Sequence, residues 1–137
     1  MREILFRGFH PDENGSKTIT VNGKKIKGEW VHGSLITQTK GKNSTELRCA
    51  WIVDYDQEIE VILETVGQYT GLTDKNGNRI FEGDIGCWRS NKRGHQVSFE
   101  DCRFKIEDWY GNEVKPTQGA INHLEFEIIG NKWEVEQ

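Results

Sequence analysis

Apolar and polar residues alternate with period two along most of the chain, the signature of half-buried strands. "REILFR" (2–7) sets Ile4 and Phe6 on one face and Glu3 and Leu5 on the other. Residues 10–16 gather turn formers. "KTITV" is rich in β-branched residues, and Asn22-Gly23 after it predicts a type I′ turn, because both residues tolerate φ > 0. "GEWVHGSLIT" (28–37) continues as strand, with Gly33 expected at a bulge or bend. The same apolar–x–Gly–x–apolar spacing recurs at Gly83 in "IFEGDIG" (80–86), a faint echo between two bends. After the polar, cationic "TKGKNST" comes the most apolar strand, "ELRCAWIVDY" (46–55). "DQEIEVILETV" fits both periods: Ile59, Val61 and Leu63 alternate with Glu58, Glu60 and Glu64, while Ile59, Ile62 and Leu63 have helical spacing. Its Val and Ile content favours strand.

Further along, Asp74, Lys75, Asn76, Gly77 and Asn78 interrupt two apolar runs and predict a hairpin joining "VGQYTGL" to "RIFEGDIGCW". "HQVSFED" and "CRFKIEDW" predict a second hairpin, turning at Glu100-Asp101. "LEFEII" and "KWEVE" predict a third, linked by Gly130-Asn131, with Leu124, Phe126 and Ile128 on one face and Trp133 and Val135 on another. Residues 117–123 alone suit a short helical turn. The expected fold is all-β: short antiparallel strands in a strongly bent sheet pair or a partly open small barrel, with at most short helical turns. At 137 residues the chain has the size of one domain, 1–137, with room for an N-terminal β lobe (1–60) and a core (61–137).

Composition sharpens this picture. Fifteen Gly and two Pro suit a chain of many turns, and five Trp, six Phe and three Tyr supply much of the volume of a lean core. No run of roughly 18 apolar residues suggests a membrane-spanning helix, and the charged N-terminus lacks a signal-peptide core, so a cytoplasmic location is expected, without a membrane partner. Cys49, Cys87 and Cys102 are odd in number and lack CxxC spacing, which points to reduced thiols. The net charge of −4 is unevenly spread: residues 1–53 hold nine Lys/Arg against five Asp/Glu (+4), and 54–137 hold nine against seventeen (−8). Such opposed halves can pair within one copy or between copies, and a homo-oligomer is expected. The acidic excess argues against a dedicated duplex-DNA binder.

Candidate chemistry is sparse. Asp74, Asn76 and Asn78 occupy alternate positions as in a calcium loop, but Gly77 falls at the fourth position rather than the sixth and Ile85 stands where the closing Glu should be. GxxxxGK[ST] is absent. On a strand, Glu82 and Asp84 would share a face and could act as an acid pair; around a bend, Gly83 would turn the chain and Asp84 would cap backbone amides, the reading preferred here. His10, His32, His95 and His123 lack metal-ligand spacing, and zinc on Cys87, Cys102 and His95 would need assembly across a hairpin. No metal or other cofactor, and no catalytic residue, is expected. "WRSNKRGH" (88–95) is the strongest binding candidate: Trp88 offers a stacking face and Arg89, Lys92 and Arg93 offer charge for single-stranded nucleic acid, with Lys24, Lys25, Lys27, Lys40 and Lys42 able to extend the patch. The reading preferred here is a solvated loop with Trp88 in the core.

"GQYTGLTDKNGNRIFEGDI" resembles the signature of the YopX family of phage and prophage proteins, in which Gly71, Asp74, Asn76, Gly77, Glu82, Gly83 and Asp84 stand out. "REILFRG" and "LEFEIIGN" are similar to that family's end motifs, and "NGSKTITVNGKKIKGEWVHGSLI" is similar to its longer N-terminal form. Gly86-Cys87-Trp88 departs from the usual continuation. The resemblance implies a small β-rich protein of phage origin with no catalytic residue to carry over. The expected function is a non-enzymatic binding or assembly protein acting through self-association or an unknown phage or host protein. Binding of single-stranded nucleic acid by the 88–95 loop is the alternative.

Overall fold

Over residues 3–134, which the computed structural model describes, the alternation resolves into eleven antiparallel strands and one short helix. The all-β expectation holds. The chain divides into two units, Glu3–Gln68 and 69–134.

The first unit contains β1 (Phe6–Pro11), β2 (Lys17–Val21), β3 (Lys24–Thr39), β4 (Leu47–Asp54) and most of β5 (Gln57–Thr73). Asn22 and Gly23 both take positive φ and turn β2 into β3, as their sequence requires. β3 changes partners along its length. It pairs with β2 from Lys24↔Val21 to Gly28↔Lys17, with β1 from Gly28↔Pro11 to Gly33↔Phe6, and with β4 from Ser34↔Val53 onward. β1 also pairs with β5, so the path β1-β3-β4-β5 returns on itself.

Glycines stand where β3 changes hands, because the neighbouring backbone comes too near for a side chain. A Cβ at Gly28 would lie 2.0 Å from the carbonyl oxygen of His10, and one at Gly33 would lie 2.0 Å from that of Val53. The β1–β5 register slips between Arg7↔Gly67 and Phe9↔Ile62. There the Thr65 hydroxyl accepts from the Phe9 N–H (2.9 Å) and donates to the Ile62 carbonyl (2.6 Å), satisfying groups the ladder leaves open. Ala50, Ile52 and Val61 form the core with Phe6, Val31, Leu35, Leu63 and Val66.

The expected first strand is displaced. β1 begins at Phe6, and Ile4 is exposed, because β3 leaves for β4 after Gly33 and does not extend the β1 ladder to residues 3–5. Arg2 lies outside the described residues. The strand reading of 56–66 is confirmed.

In the second unit the end of β5 pairs with β6 (Arg79–Phe81). A sheet of order β10-β9-β8-β7-β11 is built from β7 (Asp84–Trp88), β8 (Asn91–Glu100), β9 (Arg103–Glu107), β10 (Glu113–Val114) and β11 (Glu127–Asn131). Helix α1 (Gln118–Leu124) lies where the sequence suggests a helical turn. The Thr117 hydroxyl caps it by accepting from Ala120 N, and Glu125 ends it in the left-handed region. Ile80, Trp88, Val97, Ile106, Ile121 and Phe126 form the core.

Two hairpins differ from expectation. The β8–β9 turn is Asp101-Cys102, both at positive φ, one residue beyond the predicted position. Pairing of Phe99 with Phe104 and of Val97 with Ile106 sets that register. The predicted hairpin linked by Gly130-Asn131 does not form among the described residues. Leu124 ends the helix, β11 pairs with β7 instead, and Asn131 Oδ1 accepts from Trp133 N and Glu134 N to turn the chain. Val135 and Glu136 lie outside the described residues. Gly33 and Gly83 also bend differently: Gly33 sits in continuous strand, whereas Gly83 turns at φ 94°.

Gly33→Ala should lower unfolding free energy by about 3 kcal/mol, since a backbone carbonyl blocks the new methyl. Gly41→Ala, with open space around it, should be near neutral in the same urea titration. Equal stability of the two variants would contradict the close-approach account.

Candidate functional site

The family-like signature is a set of backbone supports. Gly71 takes φ 87° where the β5–β6 register slips, and the Thr70 hydroxyl beside it donates to Ile80 O and accepts from Leu72 N. Asp74 is buried. Its Oδ1 accepts from Asn76 N and Asn78 N, both at 2.9 Å, and its Oδ2 accepts from Ile128 N at 3.1 Å. Gly77 closes the hairpin at φ 82°, its N–H donating to Asp74 O. This is a three-residue loop with glycine at the left-handed position. Gly83, at φ 94°, turns the chain between Glu82 and Asp84, and buried Asp84 accepts from Phe81 N at 2.7 Å. The bend reading of "EGD" therefore holds, and Glu82 and Asp84 do not lie along one strand face.

The 88–95 loop follows the preferred reading, with Trp88 in the core, and lacks the stacking surface that nucleic-acid binding would need. Trp88 is buried, its ring 4.6 Å from Phe126 and 6.0 Å from His95, because residues 84–88 form a strand whose end faces the core. Arg89 pairs with Glu125 at 3.0 Å. Arg93 lies 3.7 Å from Asp108 and over the Tyr110 ring. Lys92 is exposed. Cys87 and His95 are buried and Cys102 is exposed; among the described residues no three His, Cys, Asp or Glu side chains gather as metal ligands would.

A cleft that sequence reasoning missed lies on the polar face of the second sheet. Its volume is about 230 Å³, and Gln96, Ser98, Glu107 and Trp109 are among the residues that line it. Period two puts Gly94, Gln96, Ser98 and Glu100 on one face of β8, and the register sets Glu107 beside Gln96. Gly94 supplies no side chain, which leaves room above Ile85. The Ser98 hydroxyl oxygen is shielded and has no hydrogen-bond partner. Three neighbouring carboxylates are engaged: Glu100 with Lys105, Asp108 with Arg93, and Glu113 with Arg103. Arg103 holds the Glu113 carboxyl below its ordinary value, outweighing partial burial. Glu107, by contrast, has no side-chain hydrogen bond or ion pair among the described residues, only the longer-range charge of Arg103.

Trp109 and Tyr110 sit at the cleft's edge on a turn the molecule builds twice. Asp74-Lys75-Asn76-Gly77-Asn78 and Asp108-Trp109-Tyr110-Gly111-Asn112 share the pattern D-x-x-G-N. In each, the Asp Oδ1 accepts from the residues two and four on, the Gly N–H donates to the Asp carbonyl, and the Gly has φ near 80°. Lys75 and Asn76 occupy the middle of one turn; Trp109 and Tyr110, 89% and 77% exposed, occupy the other. The turn itself therefore does not require aromatic residues. The repeated D-x-x-G-N was the readable signal for this site. Burial pushes the Asp108 carboxyl up, but hydrogen bonds from Asn112 and Tyr110 and the charge of Arg93 outweigh it and hold it below its ordinary value.

The YopX protein family model matches residues 5–135, and the chain belongs to the YopX family. No curated protein matches it. Among solved structures, the crystal structure of protein EF1440 from Enterococcus faecalis is similar, with a TM-score of 0.57 and 20% identity over 98% of this chain and 96% of that one, a likeness of fold.

Gly77→Val should cost at least ~1 kcal/mol through φ strain alone, since a side chain there meets nothing within 4 Å. A melting temperature equal to wild type would refute that reading. For Asp108 the folded value is lowered, so its stabilisation is present above the ordinary carboxyl value and fades as pH falls through the lowered one. In an NMR pH titration, the Tyr110 and Asn112 amides should hold position through the ordinary carboxyl range and move only below it.

Proposed function

We propose that this YopX-family chain is a phage-derived, non-enzymatic binding or assembly protein of the bacterial cytoplasm, acting through self-association or a protein partner. The observation that carries the reading is the Asp108–Asn112 turn, which displays Trp109 and Tyr110 where an otherwise equivalent turn displays Lys75 and Asn76. Exposed aromatic rings on a stiff support are the groups that anchor protein interfaces. A non-enzymatic role is supported by Asp74 and Asp84, the signature's buried carboxylates, whose oxygens accept backbone N–H groups. The phage origin draws on the family resemblance. Among the described residues no helix is long and apolar enough to cross a membrane.

Light scattering on a sizing column tests the self-association branch, and capture from induced host cells tests the partner branch. We expect either a multimer or a captured protein that the wild type retains and Trp109→Ser/Tyr110→Ser loses. A single mass near 15.8 kDa at high concentration and low salt, with no such captured protein, would reject the proposal.

A further inference from the structure

We propose that the cleft between β8, β9 and the Asp108–Asn112 turn receives the guanidinium of an arginine side chain presented by a protein partner; the inference deepens the binding reading above and rests on it. The lining supplies acceptors and a flat surface together. Glu107 offers a carboxylate that no side chain of the described residues bonds or ion-pairs. Ser98 is among the lining residues, and its shielded hydroxyl oxygen lacks a hydrogen-bond partner, which is unfavourable unless a ligand or water completes it. The Gln96 side chain adds an amide oxygen that can accept. Trp109 supplies the indole face.

Charge and shape then select the ligand. Glu100, Asp108 and Glu113 already face Lys105, Arg93 and Arg103, which leaves Glu107 as the lining carboxylate without an ion pair among the described residues, with only the longer-range charge of Arg103 acting on it. One cation balances it. A guanidinium is planar, can lie on an indole and can meet both oxygens of a carboxylate, with further N–H groups left for Ser98 and Gln96. An ammonium would satisfy the charge but has no flat face for Trp109. The molecule shows a related contact beside the cleft, where the Arg93 guanidinium lies 5.1 Å from the Tyr110 ring centre.

The test is an NMR titration of the full chain with the capped tripeptide acetyl-Gly-Arg-Gly-amide, its Lys counterpart, and free guanidinium chloride at matched low concentration. The arginine tripeptide should move the Trp109 indole N–H and the Ser98 and Glu107 amides in a saturable way. Glu107→Gln should weaken binding about tenfold, the value of one charged hydrogen bond. Ser98→Ala removes a hydroxyl that supports nothing else in the chain, so it keeps the test open if Glu107→Gln fails to fold; it too should weaken binding. The Lys tripeptide should bind less tightly. No saturable shift, shifts mapping away from the cleft, or equal binding of Lys and Arg would overturn the proposal. Free guanidinium binding as tightly as the tripeptide would overturn the assignment to a protein side chain. If arginine fails to bind while the wild type still self-associates or captures a partner and Trp109→Ser/Tyr110→Ser does not, the inference falls and the broader reading stands. Loss of both activities in the wild type defeats the broader reading directly.

Discussion

Three backbone amides converge on the Asp74 carboxylate, and much of the second unit is arranged around that meeting. Two of the amides close the β5–β6 hairpin, and the third belongs to β11. The Lys75 N–H adds a bond to the Phe126 carbonyl at 2.9 Å. The hairpin thus holds the chain on both sides of residue 127, which fixes how Phe126 enters the core against Trp88. Backbone groups bonded to a buried charge cannot drift without leaving that charge short of donors, an expensive outcome in a low-dielectric interior. A short polar loop consequently governs the packing of a distant aromatic pair.

Strand identity was legible wherever side chains alternate or turn residues have special backbone angles. Asn22-Gly23 and the Asp74–Asn78 loop read correctly because φ > 0 selects their residues. The failures came from partners far away in sequence. Residues 3–5 look like strand but fall outside the ladder, since β3 has moved on to β4. "LEFEII" alternates, yet Leu124 ends a helix that Glu125 caps, and Glu127 and Ile128 pair with β7, about forty residues earlier, rather than with the adjoining C-terminal stretch. Local pattern records which face a residue prefers; it does not record which strand arrives beside it.

The candidate site was less legible than the fold. Trp88 beside Arg89, Lys92 and Arg93 invited a nucleic-acid reading, but the strand holding Trp88 turns its ring into the core against Phe126. Gln96, Ser98 and Glu107 looked like the ordinary wet side of a hairpin. Their meeting depends on the β8–β9 register, and that register is set by a turn placed one residue from where the sequence pointed.

The duplicated D-x-x-G-N turn carries a consequence for how such a chain can vary. Its geometry is specified by the aspartate, glycine and asparagine and by main-chain groups, so the side chains of the two residues between aspartate and glycine are not needed to form the turn. Those positions form an interchangeable cassette on a fixed frame. A lineage can rewrite them while the frame stays constant, and the two letters directly after each aspartate are where the diversity of this surface should be sought.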